Sequence, residues 1–248
     1  MKKHFFYILI FILISCNQKN YYEEFYKNGV TKLKIEIDKN SVRNGNFEEY
    51  YETGQLKAKG KYINGKVVDF VYVYYPNGKI REKGKFKNGY RSGWFDIFRE
   101  DGTLMKKEEY LNVEKKYIKN QFIFYNANGK IDYSKSSFFI LNVPDTIKLG
   151  KNKLTLNYYD NSTKSDHNFL NVIIENKYSE NKIKKDTFTD GTRNPFFGVY
   201  AYKKGPLTIS GIIEEKILTE KKIHTDSAEL TVEDKYKFFK KNVYVTDK

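Results

Sequence analysis

The chain has 248 residues, of which 40% are hydrophobic and 17% aromatic. This composition excludes an intrinsically disordered chain, and the length allows one or two domains with a substantial core. The 22 tyrosines and 19 phenylalanines favour strands, because flat side chains pack well on a pleated surface. A formal net charge of +14 favours anionic neighbours, such as lipid headgroups or acidic polymers, but it serves solubility equally well.

Residues 1–16 predict an export signal. Two lysines precede an unbroken apolar run over 5–14, which is too short to span a bilayer as a helix. The run ends in Leu13-Ile-Ser-Cys16, which resembles the lipobox of bacterial lipoproteins. The resemblance implies that Cys16, the only cysteine, becomes the acylated first residue of the mature protein.

The residues after Cys16 bear on localisation. Several acyl chains hold a protein on a membrane durably. Asn17 stands where an aspartate would resemble an inner-membrane retention signal, so we expect an envelope protein anchored to the outer membrane, facing either side. Residues 17–23 are mostly polar and predict a short tether.

An internal repeat over residues 24–137 is the clearest feature of the mature chain. Asn-Gly and Asp-Gly dipeptides recur along it, and both favour the type I′ turn of a two-residue hairpin. From position 54 the turn glycines follow at 65, 78, 89 and 102, in alternating steps of 11 and 13. The unit is therefore 24 residues long and consists of strand, turn, strand and turn.

Segments 50–56, 74–80 and 98–104 align without gaps. Their Tyr-Tyr-x-x-Gly-x-Leu pattern resembles that of MORN-repeat variants in bacterial proteins. The resemblance implies consecutive antiparallel hairpins in one long twisted sheet, with roles in scaffolding, self-association or contact with membrane lipids. Some relatives carry an antitoxin label, which adds an immunity-like role as an alternative.

The second strand of each unit predicts a basic face. Side chains alternate between the two faces of a strand, so every second residue there is basic and the residues between are mainly apolar or small. A constant unit places the basic side chains in register, either as a patch that docks on an anionic surface or as a solvated face that blocks aggregation. The residues are Lys57, Lys59, Lys61, Arg81, Lys83, Lys85 and Lys107.

The aromatic residues Tyr50, Tyr74, Trp94 and Phe98 have two interpretations. They line a binding face for glycan or peptide, or they form cross-strand pairs that hold a thin sheet together.

The Asn-Gly dipeptides stop before residue 137, and residues 138–248 predict a second β domain. About seven strand-like runs fit a β-sandwich. The pattern over 205–213 resembles the late strands of bacterial Ig-like domains, and the polar stretch 179–194 predicts a loop or irregular edge. The runs are 138–143, 153–159, 169–175, 196–202, 207–215, 228–232 and 236–245.

The sequence offers no catalytic or metal-binding constellation. His4, His167 and His224 have no metal-ligand spacing. Adjacent acidic residues such as Glu48 and Glu49 lie on opposite faces of a strand and cannot act as a pair. We therefore expect no enzymatic activity, no cofactor and no metal.

We expect an all-β protein, with a single-layer antiparallel sheet of hairpin repeats followed by an Ig-like β-sandwich. Its expected role is that of a scaffold or protein-interaction module, anchored to the membrane and bound to an unidentified envelope protein. The alternatives are binding of anionic lipid or glycan through the basic face, and the immunity-like role. We expect no nucleic-acid partner.

Overall fold

The computed structural model is almost entirely β-structure, as the sequence predicts. It describes residues 19–160, 167–189, 191–224 and 227–247. The predicted signal peptide, its His4 and the predicted acylation site Cys16 lie outside these residues.

The described residues form seventeen strands and one turn of 3-10 helix at Tyr133–Lys135. The strands of the repeat region are β1 Asn20–Phe25, β2 Thr31–Ile37, β3 Arg43–Tyr50, β4 Leu56–Ile63, β5 Lys66–Tyr74, β6 Ile80–Lys87, β7 Tyr90–Phe98, β8 Leu104–Val113 and β9 Lys116–Phe124. The later strands are β10 Ser137–Asn142, β11 Thr146–Lys148, β12 Gly150–Asp160, β13 His167–Ser179, β14 Lys182–Phe188, β15 Phe196–Ala201, β16 Gly205–His224 and β17 Ser227–Thr246.

Strands β1 to β9 lie side by side in chain order, each antiparallel to the next. This arrangement confirms the predicted sheet of hairpins. The predicted tether over 17–23 is wrong for its last four residues, because Asn20–Phe25 pair with β2.

The two ends of the hairpins carry different turns. At one end Asn64, Gly65, Asn88 and Gly89 all have positive φ, as a type I′ turn requires. At the other end only the glycine does so, as at Gly78 with φ of 79°. Type I′ is therefore the wrong prediction for half of the turns, and the alternating steps of 11 and 13 reflect a tight turn followed by a wider one.

The wider turn has a local physical cause. The amide of Gly78 donates to the carbonyl of Tyr75 (2.9 Å), and that of Tyr75 donates to the carbonyl of Lys79 (2.8 Å). The Asn77 side chain accepts from the amide of Lys79 (3.0 Å), so it stabilises the turn without adopting a left-handed conformation. The result is a β-turn closed by a left-handed glycine, the geometry of a G1 bulge.

One face of the repeat sheet has its own thin core. The ring of Phe95 is 1% exposed and packs edge-on against Phe86 and Tyr110. It covers Gly84, where an added Cβ would overlap the ring. Phe47 covers Gly60 in the same way, with a Cβ there only 2.7 Å from the ring. Aromatic rings over glycines thus replace a second layer.

The sheet does not end where the repeats end. Strands β10, β12 and β15 continue it to twelve strands, joined to β9 through the pair Ser137 and Phe122. A second sheet, in the order β11-β17-β16-β13-β14, packs over this end. The main core lies between the two layers and includes Leu156, Phe197 and Ile213.

Three details of the C-terminal region differ from expectation. The predicted loop over 179–194 contains strand β14, which pairs with β13. The predicted strands 228–232 and 236–245 are parts of the single strand β17. The short strand β11 was not predicted and runs parallel to β17.

Candidate functional site

The predicted basic face is present in part. Lys59, Lys83 and Lys107 lie in one row across the sheet, because a residue of the strand between each two lysines pairs with both of them. The intervening partners are Tyr72 and Asp96.

The acidic residues Glu48 and Asp96 interrupt this row, so the face is mixed in charge. The Asp96 carboxylate lies 3.5 Å from the amines of both Lys83 and Lys107. Glu48 lies directly opposite Lys59 on β3. These two acids lie on β3 and β7, so the pattern of a single basic strand does not predict them.

Lys57 and Arg81 depart from the row because both lie at β-bulges. The register slips by one residue beside each of them, which breaks the alternation of faces. The Lys57 amine pairs with Glu49 at 2.5 Å, and this carboxylate raises the pKa of the lysine. Lys61 pairs with Asn46 and Val68 in the register.

Lys85 lies among mixed partners. It is paired in the register with Phe70 and Ser92, and its amine is 3.9 Å from the Asp69 carboxylate. Exposed aromatic side chains are the second component of this face. Phe70 is 52% and Trp94 37% exposed, and they occupy equivalent positions in successive units.

The other aromatic residues are half-buried at one end of the strands. The Tyr50 hydroxyl donates to Glu48 (2.6 Å), which raises the pKa of Tyr50 to about 12. Tyr74 and Phe98 receive hydrogen bonds on their backbone carbonyls from Tyr51 (2.7 Å) and Tyr75 (2.8 Å). The last two hydrogen bonds hold the backbone of Tyr74 and Phe98 in the sheet and do not involve their rings.

A buried polar junction between the repeats and the C-terminal region was not foreseen. Asn120 is 2% exposed, and its side chain accepts from the amide of Phe238 (2.7 Å) and donates to the carbonyl of the same residue (2.8 Å). The side chain thereby pairs with the backbone of β17 as a residue of a neighbouring strand would. Glu109 accepts from both Asn120 (2.7 Å) and Gln121 (2.8 Å). Nothing in the local sequence distinguishes this amide from a surface asparagine.

A cluster of ionisable groups lies inside the C-terminal sandwich. The Lys237 amine donates to the Ser137 hydroxyl (2.6 Å), which donates to Asp160 (2.7 Å). Tyr158 donates to Glu215 (2.9 Å). Burial lowers the pKa of Lys237, although Asp160 and Glu215 oppose this, and burial raises the pKa of Glu215.

A serine hydroxyl beside a lysine of lowered pKa is also the arrangement of Ser-Lys nucleophilic catalysis. Ser137 is 3% and Lys237 7% exposed, and neither lines the two cavities described next. Because both side chains are buried, the geometry favours a structural role for the pair. Its hydrogen bonds offset the unfavourable burial of the charges.

Two of the surface grooves formed by the described residues lie in this region. The first, of about 750 Å³, is lined mainly by strands of both sheets, and its lining includes Leu111, Phe139 and Phe238. The second, of about 610 Å³, lies beside β14 and β15 and its lining includes Lys153 and Phe196.

The described residues contain no group of three or more His, Cys, Asp or Glu side chains that could hold a metal ion. None of the helices in the described part of the chain is long and apolar enough to cross a bilayer. His167 is the first residue of β13 and His224 the last residue of β16, and only their backbones belong to the described structure.

Comparison with known proteins adds no relationship: no family model matches the chain, and no curated protein is significantly similar to it.

Proposed function

We propose that the protein is a non-enzymatic lipoprotein of the cell envelope in which the repeat sheet is a spacer. The sheet would be a MORN-variant array that holds the C-terminal sandwich away from the membrane and presents it to a protein partner. The observation that carries this proposal is the strand order. Strand β1 forms one edge of the large sheet, and the strands that build the sandwich form the other end.

The dimensions support a spacer. Neighbouring strands lie about 4.8 Å apart, so the steps from β1 to β9 cover roughly 40 Å. The proposed anchor at Cys16 precedes Asn20 by four residues, a reach of about 14 Å in an extended chain. The sandwich would therefore stand several nanometres from the lipid-proximal edge when the sheet is upright.

The repeat offers a direct test of length. Deleting residues 56–79 removes one unit and joins Gln55 to Ile80, which takes the place of Leu56 in the aligned motif. The shortened protein should fold and stay in the membrane fraction, but its sandwich should sit about 10 Å closer to the anchor. Crosslinking in intact cells should then lose the partner adducts of the wild-type protein.

The matched control replaces residues 56–79 with a second copy of 80–103, which restores the length with a different sequence. This variant should retain the adducts. If it loses them while the shortened protein keeps them, surface chemistry rather than length matters, and the spacer role is wrong. Cys16→Ser tests the anchor separately and should release the protein from the membrane fraction.

A second candidate is docking of the repeat sheet on an anionic membrane surface. The observation that favours it is the pairing of cations with exposed rings, since the Lys107 amine lies 5.7 Å from the ring centre of Trp94. Vesicle sedimentation with and without anionic lipid tests it, using unacylated protein. Lys59→Glu with Lys107→Glu should abolish salt-sensitive binding, whereas unchanged binding would exclude this face.

A further inference from the structure

The second groove lies where two sheet edges approach each other without pairing. Strand β15 ends the large sheet and β14 ends the small one. The Asn176 side chain bridges them by accepting from the amide of Tyr200 (2.9 Å) and donating to the carbonyl of Gly198 (2.9 Å). It also donates to Asp186 of β14 (2.8 Å). The walls are thus held by a buried amide, and the groove does not depend on a loop.

The charge of the groove is strongly unbalanced. Four lysines line it; the Lys185 amine lies 3.8 Å from Glu175, and the Lys184 amine lies 3.5 Å from Asp186, the one carboxylate in the lining. That carboxylate already accepts hydrogen bonds from Tyr178 (2.6 Å) and Asn176, and these donors lower its pKa. Among the described residues no carboxylate lies within 4.0 Å of the amines of Lys151 and Lys153, which are both exposed. The lining lysines are Lys151, Lys153, Lys184 and Lys185.

Aromatic rings form the rest of the surface. Tyr178 and Tyr200 stack with their centres 4.9 Å apart, and Phe188 fills the space above Gly198. The exposed ring of Phe196 lies under the Lys153 amine at 4.3 Å. Such rings offer flat apolar area beside polar groups at little entropic cost.

We infer that this groove binds a segment of an acidic polysaccharide. The exposed amines suit carboxylate or sulfate groups, and the ring faces suit the apolar faces of pyranose rings. The groove is a surface cleft partly open to solvent, which suits a segment of a longer chain. This assignment goes beyond the spacer role and does not depend on it.

Titration calorimetry on the full mature chain tests the assignment. The probes are a galacturonic acid trisaccharide, a heparin hexasaccharide and the neutral trisaccharide maltotriose. At least one acidic probe should bind with salt-dependent affinity, and maltotriose should not. Lys151→Glu with Lys153→Glu should weaken binding about tenfold or more, since two attractive contacts become repulsive.

The matched control is Lys59→Glu with Lys83→Glu, which makes the same change in net charge on the repeat sheet. It should leave the affinity within about twofold of wild type. Phe196→Ala should weaken binding while preserving the salt dependence, because it removes a ring and no charge. Circular dichroism at the assay temperature should show that all variants remain folded.

Four results would overturn the assignment. They are no binding of either acidic probe at roughly millimolar concentration, equal losses in the groove and control variants, full displacement by inorganic phosphate at matched ionic strength, and wild-type affinity in the groove variant. The third would leave a simple anion site without a role for the rings. Because partner crosslinking is scored independently, failure here leaves the spacer proposal intact.

Discussion

At the scale of single residues, one position of the repeat controls the packing of the sheet. It is glycine in two successive units, Gly60 and Gly84, and glutamate in the next, Glu108. Where it is glycine, an aromatic ring of the neighbouring strand occupies the missing side-chain volume. Where it is glutamate, the carboxylate is 9% exposed and lies among Lys106, Lys119 and Tyr110.

Gly84→Ala should destabilise the protein by about 1–3 kcal/mol, because the new methyl group overlaps the Phe95 ring. Urea unfolding gives the free energy. In a Phe95→Ala background the same change should be nearly neutral, since the competing ring is gone. Equal effects in both backgrounds would contradict the overlap as the cause.

Glu108 should make the free energy of unfolding depend on pH in the acidic range. Burial opposes its ionisation, but Lys106, Tyr110 and Lys119 outweigh burial and lower the pKa from 4.5 to about 2. A carboxyl with a lowered pKa in the folded state stabilises fully above its unfolded pKa and loses that contribution as pH falls towards the folded pKa.

Glu108→Gln should therefore be less stable than wild type by about 1–3 kcal/mol at pH 6, a difference that shrinks between about pH 4.5 and 2. Unfolding free energies measured from pH 6 downwards test this. The exposed control Glu100→Gln should change little. A difference that stays constant with pH would show that Glu108 acts through shape rather than charge.

The sequence predicts the positions of the turns correctly, but it does not predict on which face of the sheet each side chain lies. The spacing of glycines predicts every hairpin from β4 to β8, because left-handed backbone is confined to few residue types. It does not predict which lysines share a face, since the bulges beside Lys57 and Arg81 reverse the alternation locally. A bulge is defined by the pairing of two strands, so the sequence of one strand does not reveal it.

At the scale of elements, the wide turns are linked to each other. The hydroxyls of Tyr26, Tyr51 and Tyr75 each donate to a backbone carbonyl about one unit further along the chain, at 2.7–2.8 Å. Each turn therefore supports its successor, and Arg99 continues the series to the carbonyl of Tyr125.

Tyr75→Phe should remove one such link and reduce the unfolding free energy by about 1 kcal/mol. The control is Tyr90→Phe, whose ring is 51% exposed and stacks on Tyr117, a contact that the change preserves. Thermal or urea unfolding distinguishes them. Equal stability of both variants would mean that the turns are independent.

The Asn120 side chain is the main polar link between β9 and β17. Asn120→Ala leaves the buried backbone groups of Phe238 without their partner, so we expect a loss of about 2–4 kcal/mol. Hydrogen exchange should accelerate at the Phe238 amide, and Asn112→Ala, an exposed change, should have no such effect. Unchanged protection at Phe238 would contradict the docking role.

The sequence fails to predict strands whose formation depends on pairing with another strand of the sheet. Strand β14 is rich in lysine and reads as a loop, but β13 supplies the pairing that makes it a strand. Strand β17 crosses the polar residues Glu233 and Asp234 without a break because β16 pairs with it throughout. In both cases a long-range partner overrides the local composition.

At the scale of the whole molecule, the change in sequence pattern after residue 137 does not coincide with a structural break. The large sheet passes through this point, and only the second layer is added. The sequence predicts the change of pattern correctly, because the turn spacing ends there. It could not predict the continuity, which rests on the single backbone pair of Ser137 and on the side-chain link from Gln121 to the amide of Phe139.

The edge position of β1 has a mechanical consequence. A load between the N-terminal edge and the sandwich would pull strands off the edge one after another, so only a few hydrogen bonds would resist at any moment. Each unit would release about 80 Å of extended chain. Single-molecule extension should show a series of such steps at low force before the sandwich unfolds. Under the proposed function, the repeat array would then dissipate mechanical load between the anchored end and the end bound to a partner.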